Sequence, residues 1–131
     1  MIMVDTNIVA YLYLESEFID RAEALLNTGP EWSVPLLWRS EFRNILAGAI
    51  RRKALGFEEA CQISAEAESL LAGNEYEVGS LSVLELVRDS DCSAYDCEFV
   101  GLAMLLGIPL VTMDGKLLRA FPKFAQPLPA V

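Results

Sequence analysis

The amino-acid sequence predicts an α/β protein, a three-layer α/β/α sandwich around a short central parallel sheet, with residues 1–131 forming one domain. Three observations predict it. Short apolar runs recur along the chain, separated each time by amphipathic stretches of helical period. Strands separated in this way pair in parallel through crossover helices. A chain of 131 residues, 53% hydrophobic and 22% charged, also has the material to bury one core without disulfides or a structural metal.

The elements follow in order. Ile2–Val4 is a brief apolar strand ending at Asp5, with a helix expected through Leu14. A second helix, Glu17–Asn27, carries Phe18, Ala22, Leu25 and Leu26 on one face and stops at Thr28-Gly29-Pro30. Trp32–Val34 is the second strand. Leu37–Lys53 is a long helix whose last turn holds Arg51, Arg52 and Lys53, which suits the negative end of the helix dipole. Phe57–Ala72 is amphipathic and ends at Gly73-Asn74. Tyr76–Val78 reads as a strand and Ser80–Arg88 as a short helix. Ser93 opens a helix that runs to Leu106 and stops at Gly107. Leu110–Thr112 is apolar and β-branched, hence a strand, and Asp114 leads into a last short helix before Pro122. The tail from Pro127 to Val131 is expected to be irregular surface chain. No linker, repeat or low-complexity tract interrupts this alternation.

Composition narrows the chemistry. There is no histidine, and the three cysteines, Cys61, Cys92 and Cys97, have no paired spacing. A zinc site of cysteines and histidines, a histidine triad and a histidine general base are therefore disfavoured, and free thiols in a reducing cytoplasm are expected. The apolar start lacks a basic leader and a small-residue cleavage site, and no run approaches the length of a membrane span. A soluble cytoplasmic protein with no membrane partner is the expectation. The net charge of −9 argues against binding nucleic acid by phosphate neutralisation alone. A bound cation held by converging acids would reverse the field locally.

Four acids occupy unusual places. Asp5 follows an apolar strand and precedes a helix in Val4-Asp5-Thr6-Asn7, where it serves equally as an N-cap or a ligand. Glu41 lies within the long helix beside Leu37, Trp38, Asn44 and Ile45, a mostly apolar stripe on which a carboxylate pays desolvation unless a cation or donors meet it. Asp96 stands three residues after Ser93, as in a capping box, yet Phe99 and Val100 turn its side of the helix inward. Asp114 ends Pro109-Leu110-Val111-Thr112-Met113 and can cap the last helix. In a parallel sheet two strand-end acids and two on inward helix faces can converge on one rim. Four carboxylates gathered there repel one another unless a counterion intervenes, and magnesium or manganese favours an all-oxygen site.

In order and spacing, Val4-Asp5-Thr6-Asn7, Ser40-Glu41-Phe42, Ser93-Ala94-Tyr95-Asp96 and Pro109–Asp114 resemble the PIN domain, and within it the VapC-type toxins of bacteria and archaea. The resemblance covers essentially the whole chain, with no acid missing; the strongly acidic surface departs from what an RNA-binding protein leads one to expect. It implies that Asp5, Glu41, Asp96 and Asp114 are catalytic and bind metal, with Asn7, Ser93 and Thr112 as accessory polar residues. It further implies a magnesium- or manganese-dependent endoribonuclease acting on structured RNA such as transfer or ribosomal RNA, a homodimer, and a cognate antitoxin. The chemistry expected is metal-assisted hydrolysis leaving a 5′-phosphate and a 3′-hydroxyl, which needs no histidine. The alternative is a PIN-fold RNA- or protein-binding module without catalysis.

Arg39, Arg43, Arg51, Arg52, Lys53 and Lys116 are candidates to meet substrate phosphates, or else solvated helix faces; Arg39 and Arg43 are expected to be solvated. Tyr11, Tyr13, Phe18 and Phe121 could form association patches, but ordinary core packing is the simpler expectation. A phospho-acceptor signalling module lacks its mid-chain acceptor Asp around Trp32–Leu37, and an aspartate-nucleophile phosphatase needs an Asp where Asn7 stands.

Overall fold

Ile2–Val4 (β1) is a three-residue strand with every residue buried. A strand covered on both faces shows no polar alternation, which is why it reads as a continuous apolar run. The computed structural model describes all 131 residues. After β1 come α1 (Thr6–Tyr11), α2 (Ile19–Thr28), β2 (Trp32–Pro35), α3 (Trp38–Arg51), α4 (Phe57–Leu71), β3 (Glu75–Tyr76) and α5 (Ser80–Arg88). The chain continues with α6 (Ala94–Leu106), β4 (Leu110–Val111), α7 (Gly115–Ala120) and β5 (Ala125–Gln126).

The strands lie in the order β3-β2-β1-β4-β5, and every pairing is parallel. The chain therefore winds from β1 outward to β3, then crosses back to build β4 and β5 on the other side of β1. Right-handed crossovers put α1 to α4 on one face and α5 to α7 on the other. The packing agrees. The α6 helix lies against β1, β2 and β4 with α5 packed on it, while α4 lies against β2 and α3 joins α1 to α4. This is the expected three-layer α/β sandwich. Its core takes Met3, Val4, Val34, Leu110 and Val111 from the sheet and Ile8, Trp38, Phe42, Leu71, Phe99 and Leu102 from the helices. Each such side chain contributes roughly 1.5–3 kcal/mol by leaving water. No helix is long and apolar enough to cross a membrane.

Several boundaries differ from expectation for local reasons. The first helix stops at Tyr11, because Tyr13 and Leu14 both donate to the carbonyl of Ala10 and tighten the chain into a turn. The second helix is shifted to Ile19–Thr28, and β2 gains Pro35. The long helix ends at Arg51; Lys53 takes the left-handed conformation, φ 61°, and cannot continue it. The third strand begins at Glu75, since Glu75 and Tyr76 pair with Val34 and Pro35.

The tail is the main correction. Ala125–Gln126 forms an edge strand on β4, and Leu128, only 1% exposed, belongs to the core instead of to irregular surface chain. Arg21 of α2 donates to the carbonyl oxygens of Leu128 and, at 3.2 Å, Pro129. Tyr11, Tyr13, Phe18 and Phe121 pack against the core, with the Tyr11 and Phe18 rings 5.1 Å apart, so ordinary packing accounts for them.

Candidate functional site

Where strand order reverses, the crossover helices leave in opposite directions and open a crevice at the carboxyl ends of the strands. In this sheet that place is beside β1 and β4. Asp5 is the residue after β1; Thr112 follows β4, and Asp114 lies two residues further on. The two helices that lean over this edge bring the remaining acids, Glu41 from the first turn of α3 and Asp96 from the first turn of α6.

All four acids line one open cleft of about 240 Å³. Thr6, Asn7 and Asn44 add polar groups to its wall, and Ile45, Phe99 and Leu117 supply apolar surface. Of the residues expected to support the acids, Thr112 lies fully buried beneath the cleft and donates its hydroxyl to Asp5 Oδ2. The same hydroxyl oxygen accepts the backbone N–H of Asp114 at 3.0 Å, so Thr112 ties the two strand-end acids together. Ser93 lies outside the lining but caps α6, its Oγ accepting the N–H of Asp96 at 3.1 Å.

Asn7 stands among the acids in the cleft lining. Its side chain is exposed at the rim, and what reaches Asp5 is its backbone. The residue that holds a carboxylate from this turn is its neighbour Thr6, whose hydroxyl donates to Glu41 Oε1 at 2.7 Å. Sequence reading passed over Thr6 and Asn44. Asn44, one turn beyond Glu41 on the same helix face, was visible as a polar break in the stripe. Arg39, expected to be solvated, is instead ion-paired to Glu68 at 2.6 Å and to Glu75 at 2.6 Å, and is committed to holding α4 and β3. Glu41 itself is half-buried on the flank of α3, one position off the buried stripe of Trp38, Phe42, Leu46 and Ala49.

The acids also act as caps, as allowed for. Asp5 Oδ1 accepts the N–H of Ile8 at 3.2 Å and caps α1. Asp114 Oδ1 accepts the N–H of Lys116 at 2.8 Å and of Leu117 at 3.4 Å and caps α7, while the side chain remains exposed. Capping uses Oδ1 of each carboxylate; Oδ2 of Asp114 has no hydrogen-bond partner, and Oδ2 of Asp5 keeps a lone pair beside the Thr112 hydrogen bond, so cap and ligand are compatible roles.

The electrostatics show what the cleft lacks. Burial pushes the Asp5 carboxyl up to about 6, only partly offset by the Thr112 hydroxyl and the N–H groups of Ile8 and Asn7, with the charge of Asp114 adding to the rise. Burial raises Glu41 as well, against the Thr6 hydrogen bond, and the charges of Asp96 and Glu98 reinforce it. Asp96 is raised by burial and by Asp114, and lowered by the Ser93 hydrogen bond and the charge of Lys116. Three carboxyls resisting ionisation in one hollow are short of positive charge.

A divalent cation fits that shortage. The donors are all oxygen, no cysteine or histidine lines the cleft, and Asp5 is buried without a cationic partner. No three acids yet stand at ligating distance around one point. Magnesium and manganese tolerate this, since magnesium keeps several of its waters and binds through one or two carboxylates directly.

Comparison with known proteins places this geometry. Over 129 residues the chain is 27% identical to Ribonuclease VapC3 of Pyrobaculum aerophilum, covering 96% of this chain and 98% of that one. Its fold is shared with a toxin–antitoxin complex from Klebsiella pneumoniae, at TM-score 0.69 and 15% identity over 100% of both chains. It is shared equally with FitAcB from Neisseria gonorrhoeae, at TM-score 0.74 and 16% identity over 95% and 96% of the two chains. The sequence profile of the PIN domain matches residues 2–122, which takes in all four acids and every element but β5, and the chain belongs to the PIN domain family.

Proposed function

We propose that this protein is a magnesium- or manganese-dependent endoribonuclease and the toxin of a type II toxin–antitoxin pair. The observation that carries the reading is the convergence of Asp5, Glu41, Asp96 and Asp114, from four separate elements, on one cleft that lacks a cation to balance them. The name of the Pyrobaculum relative supports ribonuclease activity, and the toxin–antitoxin neighbours support an antitoxin partner. A homodimer, structured RNA as substrate and a cytoplasmic location complete the proposal.

Asp5, Glu41 and Asp96 would hold the cation, with Asp114 as second-ion ligand or water-orienting group. The bound ion supplies an acidified water and polarises the phosphoryl oxygens for hydrolysis to a 5′-phosphate and a 3′-hydroxyl. The chain's own groups prepare that step. Thr112 and Thr6 fix the Asp5 and Glu41 carboxylates, so little reorganisation is left for the moment of reaction. The exposed carboxylate of Asp114, locked by its cap to α7, stands at the open side of the cleft, where an incoming strand and its attacking water arrive. Phe99, Leu117 and Ile45 exclude bulk water from the inner wall.

The test is cleavage of RNA by protein stripped of metal and then supplied with magnesium or manganese. Activity should return with either ion and vanish in Asp5→Asn and Asp96→Asn at unchanged circular dichroism; undiminished cleavage by either variant rejects the assignment. A second reading, a PIN-fold module that binds RNA or protein without turnover, is favoured by one observation, the absence of three acids already at ligating distance. RNA binding with no cleavage at saturating manganese would select it.

A further inference from the structure

The cleft supplies acids for a cation but nothing for the phosphates on either side of the one cleaved. Most cations of this chain are unable to provide it. Arg21, Arg39 and Arg88 are engaged with carbonyls or carboxylates. Arg51, Arg52 and Lys53 lie at the far end of α3 from Glu41, roughly 15 Å along the helix at 1.5 Å per residue.

Lys116 and Arg119 differ. Both lie on α7, directly after Asp114, both are exposed, and neither is ion-paired. The Arg119 side chain folds back along the helix, its Nη1 2.9 Å from where a β-carbon on Gly115 would stand, so the guanidinium lies over the residue next to Asp114. The charge of Lys116 is felt at Asp96 across the cleft. Between α7 and residues 89–92 is a second open hollow of about 450 Å³, with Lys116 and Arg119 on one wall. Its neighbours on both sides are the walls of the acid cleft, the start of α6 and α7. The opposite wall carries Asp89 and Asp91. Asp89 is paired to Arg88 through bonds of 2.8 and 2.9 Å, so Lys116 and Arg119 face one acid without a cationic partner, Asp91. In a chain of net charge −9, two exposed cations without a carboxylate partner are thus gathered beside the reaction site.

We infer that Lys116 and Arg119 form a phosphate-binding subsite that holds the backbone of an RNA nucleotide adjacent to the one cleaved, with its sugar or base in the hollow against residues 89–92. This rests on the ribonuclease reading above. Exposed, unpaired Lys and Arg are suited to backbone contacts that position a strand without reading its sequence. They would let an acidic protein hold a polyanion beside its acid cleft.

The test compares the full-length wild type with Lys116→Gln, Arg119→Gln and the double variant, using Arg51→Gln/Arg52→Gln as a control for general charge. In manganese, the double variant should raise KM for RNA about tenfold and lower kcat far less. The dependence of binding on salt should become shallower by about one for each cation removed. Manganese affinity and melting temperature should stay near wild type, and the control should match wild type throughout. Unchanged KM and salt slope in the double variant, or an equal loss in the control, overturns the subsite. If wild type fails to cleave, the ribonuclease reading falls on its own, and binding of a short labelled single-stranded RNA decides the subsite. Weaker binding by the double variant then supports it, and equal or absent binding overturns it.

Discussion

The hydroxyl of Thr6 donates a 2.7 Å hydrogen bond to Glu41 Oε1, joining the start of α1 to the first turn of α3 across 35 positions of sequence. Thr6 is itself buried, so its donor has no water to turn to and the bond fixes which way Glu41 faces. Removing it should loosen the ligand without removing any charge. Thr6→Val is expected to weaken manganese binding by about ten- to hundredfold, with Thr6→Ser close to wild type, as read by isothermal titration calorimetry. Wild-type affinity in Thr6→Val would mean that Glu41 is not a ligand or needs no support.

Thr112 presents a sharper case, because its hydroxyl serves Asp5 and Asp114 at once. Thr112→Val keeps the shape and removes both bonds inside a fully buried site. Chemical denaturation of the metal-free protein at pH 7 should show a loss of about 1–3 kcal/mol, the range for leaving buried polar groups unpartnered.

Asp5 makes the metal-free protein sensitive to pH. Its carboxyl holds its proton to about 6, against an ordinary value of 3.8. Between these values the folded state carries more protons than the unfolded one, so stability is greatest at the acid side and declines as pH rises through the window. The difference amounts to about 3 kcal/mol, and the raised Glu41 and Asp96 act in the same direction. In the presence of a chelator, thermal denaturation should therefore show the melting temperature falling from pH 4 to pH 7. Asp5→Asn should flatten that decline and be more stable than wild type at pH 7. A wild-type profile with the same slope as that of Asp5→Asn would show that Asp5 ionises freely.

Cap and reaction roles of Asp114 can be separated. Asp114→Asn retains an oxygen for the N–H groups of Lys116 and Leu117, whereas Asp114→Ala does not. The alanine variant should lose about 1 kcal/mol of stability and the asparagine variant much less. Both should lose RNA cleavage, as followed on gels. Full activity in the asparagine variant would leave Asp114 a cap alone.

Much of this site was legible in the sequence because its acids carry local signals. Asp5 and Asp114 each follow an apolar strand and precede a helix, and Ser93 marks the helix start that places Asp96. Parallel pairing follows from the alternation itself, and with it the shared rim. What escaped reading depends on distance. Thr6 gives no sign of its partner, since the bond to Glu41 exists only once α1 and α3 pack. The resemblance pointed to Asn7 as a supporting group, and Asn7 lines the cleft, but the hydroxyl that holds Glu41 comes from Thr6. The edge strand Ala125–Gln126 is too short for any periodicity, and the prolines around Leu128 hid a residue that the core encloses. Arg39 looked solvated because its partners, Glu68 of α4 and Glu75 of β3, are about thirty positions or more away in sequence and meet it only in the fold.

The most direct test of the account is manganese binding itself, measured by calorimetry on metal-stripped wild type and on Asp5→Asn at pH 6, where the Asp5 carboxyl is about half protonated. Wild type should bind manganese with proton release, as the raised carboxyls give up their protons, and Asp5→Asn should bind at least tenfold more weakly with fewer protons released. Equal affinity and equal proton release in the two proteins would contradict it.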